Sequence, residues 1–143
     1  MLAVNNLYIE RNGRAIIQDL SFTLEGQKRL FVQGEIGSGK TTLLLALLGF
    51  VHVTKGEIKL FGQVCREEKD FAPFRGTIGI CFQNADDQLF GPTVLDDIAF
   101  GPLNQNVPRE QAYHIAEQQL ERLGITRLKD RMVHTLSGGE KNF

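Results

Sequence analysis

The stretch Gly34-Glu35-Ile36-Gly37-Ser38-Gly39-Lys40-Thr41-Thr42 decides how the rest of the chain is read. It fits G-x-x-x-x-G-K-[ST], a pattern that carries meaning only between an apolar strand and an apolar helix. Residues 28–33, Lys-Arg-Leu-Phe-Val-Gln, read as that strand, and residues 43–48, Leu-Leu-Leu-Ala-Leu-Leu, continue a helix that ends near Gly49. Glycines let the backbone curl so that successive N–H groups converge on an oxyanion. The helix start adds its unpaired first-turn N–H groups and the positive end of its dipole. On this reading Gly34, Glu35, Gly37, Ser38, Gly39, Lys40, Thr41 and Thr42 form a phosphate cradle. Lys40 reaches the β- and γ-phosphates, and the Thr41 hydroxyl takes one position on Mg²⁺. A plain Gly-rich turn before a buried helix is the competing reading, and the intact Gly-Lys-Thr in its strand–helix context weighs against it. The expectation is a chain that binds a nucleoside triphosphate, or descends from one that did.

Composition narrows the setting. A chain of 143 residues holds one domain with a real core and is short for two. Its 42% apolar and 23% charged residues are the proportions of a water-soluble globular protein. Sixteen basic and seventeen acidic residues nearly cancel, which leaves no basic field for nucleic acid. The longest apolar run, residues 43–53, is interrupted by Gly49 and His52 and falls well short of a membrane span. The start Met-Leu-Ala-Val-Asn-Asn lacks the charged and apolar regions of a secretion signal, so a cytosolic protein is expected, touching membrane only through a partner. Cys65 and Cys81 have no metal spacing and read as reduced thiols in or near strands.

Outward from the cradle, residues 2–4, 7–9 and 20–24 are short strand candidates, with Arg11-Asn12-Gly13-Arg14 as a turn. Residues 57–61 read as a strand, 63–76 as a polar surface loop or short helix, and 77–82 as a buried parallel strand. Thr93 is the expected N-cap of a short helix over 94–100. A longer helix starts at Pro108, presents Ala112, Ile115, Ala116, Gln119, Leu120 and Leu123 on one face, and ends at Gly124.

Two further motifs bring in a family. Leu136-Ser137-Gly138-Gly139-Glu140 resembles the ABC signature, usually Leu-Ser-Gly-Gly-Gln, and Gln83 sits where ABC ATPases place their Q-loop glutamine. Ser137 is a natural N-cap hydroxyl, and Gly138 and Gly139 let backbone amides approach an anion. The resemblance spans the chain from about Leu2 to Lys141 and implies an α/β fold of the P-loop type, with an antiparallel β subdomain and an α-helical subdomain. It divides a partial domain, 1–143, into the β subdomain and phosphate-loop core (1–82), the Q-loop and helical subdomain (83–135), and the signature with the chain's end (136–143). It implies ATP and Mg²⁺ as cofactors, with Thr41 and Gln83 at the metal. Gln83 would contact Mg²⁺ or the attacking water, and Ser137, Gly138, Gly139 and Glu140 would grip ATP on a second ATPase subunit in a head-to-tail dimer. Aligned from Leu7, Arg11 takes the place of the aromatic residue that usually stacks on adenine, and a guanidinium plane can also stack on a base. His52, His114 and His134 match no catalytic position.

The run Phe82-Gln83-Asn84-Ala85-Asp86-Asp87-Gln88-Leu89-Phe90, continued by Asp96-Asp97-Ile98-Ala99-Phe100-Gly101-Pro102, is similar to the energy-coupling-factor importers of cobalt and nickel type, with Ala85 in place of a usual proline. There the region after Gln83 receives a coupling helix from a transmembrane subunit, so the chain is expected in the cytoplasm, peripheral to the inner face of the cell membrane. As solvated loop acids, Asp86 and Asp87 would need no partner.

The family's Walker B Asp, catalytic Glu and switch His have no counterpart in residues 1–143, and Asn142-Phe143 departs from the usual basic-then-apolar continuation. The resemblance is therefore to a truncated ABC ATPase, by frameshift, premature stop or choice of fragment, with an incomplete sheet that leaves residues 30–32 and 78–80 without neighbours. A non-catalytic remnant is the alternative reading. An ABC-type ATPase of DNA repair or chromosome maintenance fits less well, because those domains are broken by long coiled coils and residues 84–135 hold only short helices.

Overall fold

Residues 2–24 form one long hairpin rather than three short strands. Strand β1 (Leu2–Arg11) pairs antiparallel with β2 (Arg14–Leu24), and Arg11 stands opposite Arg14 across an Asn12-Gly13 turn with both φ angles positive. Val4, Leu7 and Ile9 are spaced by three and then two residues, so an unbroken strand would put Val4 and Leu7 on opposite faces. A register shift between Val4 and Leu7 absorbs the extra residue, and all three side chains are fully buried. The irregularity is built from residues that tolerate a left-handed backbone, Asn6 at φ 45° and Asp19 at φ 50°. Asn6 Nδ2 donates to Asp19 Oδ1 at 2.7 Å, and the Asn6 N–H to Ser21 Oγ at 2.8 Å. The break in periodicity made the sequence read as two strands where there is one.

The computed structural model describes residues 1–141, so the expectation on Asn142-Phe143 lies outside the described residues. The chain divides into two compact units, Met1–Gly79 and a second that begins at Ile80. In the first, β3 (Lys55–Leu60) pairs with the other edge of β1, and β4 (Gln63–Cys65) with β3, giving a four-stranded antiparallel sheet of order β2-β1-β3-β4. Strand β4 lies inside the stretch expected to be loop or short helix; three residues are too few for alternation to show. Helix α1 (Lys40–Leu47) adds Leu43 and Ala46 to the core of Val4, Leu7, Ile9, Ile17, Ile58 and Leu60, and Phe71 of the short α2 (Glu68–Phe71) joins it.

Two expected strands do not form. Residues 28–33 and 78–82 are irregular, and Leu30, Phe31 and Val32 are exposed, Phe31 by 79%. A parallel strand exists only through ladder bonds to neighbours, and no strand among the described residues pairs with either segment.

The second unit packs α3 (Val94–Asn104) on α4 (Arg109–Leu123), with Val94, Leu120, Leu128, Val133 and Leu136 as its core. Thr93 caps α3 as expected, its Oγ1 accepting from the Asp96 N–H at 3.2 Å. The helix runs past Phe100 to Asn104 with Pro102 inside it, so Gly101-Pro102 does not end it. On α4, Ala112, Ala116 and Leu120 are buried, Leu123 is 59% exposed, and Gly124 ends the helix in the left-handed conformation. No helix among the described residues is long and apolar enough to cross a membrane.

Candidate functional site

The segment expected to cradle phosphates lies in the first unit, at the head of α1. Gly39 is the N-cap with φ +95°, and a Cβ there would lie 2.6 Å from Ile16 Cγ2, so only glycine fits the turn into the helix. Helix α1 has no side-chain cap and no acid in its first turn. By contrast α2 closes its start with a Glu67–Asp70 capping box, and α3 with Thr93, Asp96 and Asp97. The first N–H groups of α1 therefore face outward with their dipole unopposed, which is the electrostatics of an anion site.

Lys40 folds back over the loop. Its ammonium donates to the Gly34 carbonyl at 2.8 Å and the Glu35 carbonyl at 2.7 Å, with Ser38 Oγ at 3.5 Å. The Ser38 N–H donates to the Glu35 carbonyl at 3.2 Å, and Gly37 turns at φ 82°. Beside the loop lies a cleft of about 190 Å³ against β2, lined in part by Ile16, Ile17, Val32, Ser38, Gly39 and Lys40. Its lining is mostly apolar, and its volume is below the ~300 Å³ at which small-molecule pockets begin. The donors fit a polyphosphate: a lysine ammonium, helix-head amides and the hydroxyls of Ser38, Thr41 and Thr42. The exposed Thr41 hydroxyl supplies the hard oxygen that Mg²⁺ takes.

The other expected site residues fall elsewhere. Arg11 is exposed at the hairpin tip opposite Arg14 and does not line the cleft. In the second unit Gln83 is exposed on a loop that closes with a single 3₁₀ turn, Ala85–Asp87. Thr41 and Gln83, both expected at the metal, belong to different units.

The Leu136-Ser137-Gly138-Gly139-Glu140 segment is anchored by its buried leucine and exposes the next three residues. Glu140 Oε2 accepts from the Ser137 N–H at 3.0 Å and from its hydroxyl at 2.9 Å, while Ser137 Oγ accepts from the Glu140 N–H at 3.4 Å. This is the reciprocal bonding of a capping box closed on a turn. The Ser137 N–H, then its hydroxyl, hold the Glu140 carboxyl below the usual range. Glu140 thus engages both the N–H and the hydroxyl of Ser137.

Asp97 was not singled out by sequence reasoning. Its Oδ1 accepts from the N–H groups of Phe90 at 2.7 Å and Gly91 at 2.8 Å, and a Cβ on Gly91 would lie 2.5 Å from the Asp97 nitrogen. The signal available was an acid in the first turns of an expected helix, a position that attracts backbone N–H groups.

The ABC transporter family model matches residues 17–143. A Haemophilus influenzae protein described as an uncharacterized ABC transporter ATP-binding protein is 97% identical over 143 residues, all of this chain and 66% of that protein. The energy-coupling factor transporter ATP-binding protein EcfA1 of Fusobacterium nucleatum is 37% identical over 99% of this chain and 53% of its own length. Among solved structures, cbiO1 from Clostridium perfringens, part of the ABC transporter complex cbiONQ, matches with a TM-score of 0.85 at 30% identity over 98% of this chain and 57% of that one. The chain thus spans about half to two thirds of the length of these relatives, and its sheet and helices are a partial ABC ATPase fold. With a family model covering the cradle, Gln83 and the signature in order, the chain belongs to the ABC transporter ATP-binding family.

Proposed function

We propose that this chain binds ATP with Mg²⁺ as the nucleotide-binding part of an energy-coupling-factor-type importer, with cobalt or nickel ions as cargo. The observation that carries the nucleotide reading is the cradle: an uncapped α1 head, a left-handed Gly39 and the Lys40 ammonium over the loop. In this reading Gly34 to Thr42 hold the β- and γ-phosphates, and Thr41 and Gln83 contribute to the Mg²⁺ shell. The metal, when bound, neutralises charge between the phosphates. Ser137, Gly138, Gly139 and Glu140 meet the nucleotide of a second ATPase subunit, Glu140 first releasing Ser137. The segment after Gln83 docks a transmembrane subunit, which holds the chain at the cytoplasmic face of the membrane. Similarity to EcfA1, described as an energy-coupling factor transporter ATP-binding protein, supports the energy-coupling-factor type.

The test displaces a fluorescent ATP analogue from the chain with ATP, GTP, AMP and inorganic triphosphate, each with Mg²⁺. A phosphate-cradle binder is displaced by ATP and triphosphate far better than by AMP. Equal displacement by AMP and ATP refutes the cradle.

A further inference from the structure

Residues 77–82 were expected to be a strand and find no strand partner among the described residues, yet the Ile80 carbonyl and the Phe82 N–H are both bonded to one side chain. The side-chain amide of Gln88 donates from Nε2 to the Ile80 carbonyl at 3.0 Å, and its Oε1 accepts from the Phe82 N–H at 2.9 Å. In a parallel ladder one peptide residue bonds in this way to the carbonyl and N–H on either side of its neighbour. Gln88 therefore imitates a strand residue paired with Cys81. The reversed amide would set NH₂ against N–H and oxygen against oxygen, so the pair of bonds fixes its orientation.

The clamp sits at the base of the loop that carries Gln83. Gln83 follows Phe82 directly, and the loop returns through the 3₁₀ turn, with the Asp87 N–H on the Asn84 carbonyl at 3.2 Å. Its exit is held as well, by Asp97 on the Phe90 and Gly91 N–H groups. We infer that Gln88 is a positioning residue for Gln83: by pairing with Ile80 and Phe82 it fixes the point from which Gln83 leaves the backbone. This rests on the reading that Gln83 contacts Mg²⁺ or the attacking water. Gln88 touches neither; it acts through Gln83. A half-buried amide that satisfies both of its ends on the backbone is not a solvated loop residue.

The test is a double-mutant cycle with Gln88→Met, which keeps length and volume and removes both bonds, and Gln83→Ala. ATP affinity is measured with Mg²⁺ and with a chelator. Gln88→Met is expected to weaken Mg²⁺-ATP binding by about three- to tenfold, the range of one or two neutral hydrogen bonds. It should leave metal-free binding unchanged and add nothing in the Gln83→Ala background. Hydrogen exchange of the Phe82 amide should speed up in Gln88→Met, and less in Gln88→Glu, which keeps the acceptor. The exchange measurement judges the clamp without nucleotide. Unchanged Phe82 exchange overturns the proposal, as does a loss equal with and without Mg²⁺ or additive to Gln83→Ala. If Gln83→Ala itself leaves Mg²⁺-ATP binding unchanged, the reading of Gln83 fails instead.

Discussion

Removing the Lys40 ammonium should weaken nucleotide binding by less than its charge suggests. A charge-assisted hydrogen bond is worth roughly 1.5–3 kcal/mol, about ten- to a hundredfold in affinity. Here the ammonium already donates to two carbonyls, Gly34 at 2.8 Å and Glu35 at 2.7 Å, and must leave at least one of them to reach a phosphate. Exchange of a neutral acceptor for an anionic one keeps only the difference, so Lys40→Ala should fall near the lower end, about tenfold. The same substitution strips the loop of its internal tie, which in a solvent-open site should cost stability only ~0.5–1 kcal/mol. Titration of wild type and variant with a fluorescent ATP analogue measures the first effect, and urea unfolding the second. Equal ATP affinity in the two proteins would refute the assignment of the loop. A loss well above a hundredfold would show that the internal bonds do not compete with the phosphate.

Equilibrium dialysis with Ni²⁺ or Co²⁺ and no nucleotide should find no tight stoichiometric site, since no group of three or more His, Cys, Asp or Glu among the described residues could hold a metal; submicromolar binding would overturn that. Asp96 is held below the usual carboxylate range, first by the Thr93 hydroxyl and then by the Tyr113 hydroxyl, which donates at 2.7 Å from α4. A depressed folded value stabilises the charged form, so its contribution is complete above the ordinary carboxylate value of about 3.9 and fades as pH falls through the lower folded value. Thermal melting against pH should therefore show an acid-side loss that is smaller in Asp96→Asn, and identical profiles would remove Asp96 as a cause.

Much of the candidate site was legible because its chemistry is local. Gly34 to Thr42 set a backbone turn, a helix start and one lysine within nine residues, so the order of residue types was enough to place the loop and the start of α1. The Thr93 cap and the Gly124 stop were legible for the same reason: each bonds within four residues of itself. What failed in the sequence reading depended on distant partners. Residues 28–33 and 77–82 have strand composition, but a strand is made by ladder bonds to another segment, and the structure supplies none to the first and a glutamine side chain to the second. The hairpin of residues 2–24 hid its continuity because Asn6 and Asp19 absorb a register shift only when they face each other across the sheet. The hold of Glu140 on Ser137 spans only three residues, yet the same letters also spell an ordinary helix start. Residue order alone decided which chemistry the chain can offer an anion. Tertiary structure decided which backbone groups find partners, because a hydrogen bond across the fold depends on where a second segment lies and not on the composition of the first.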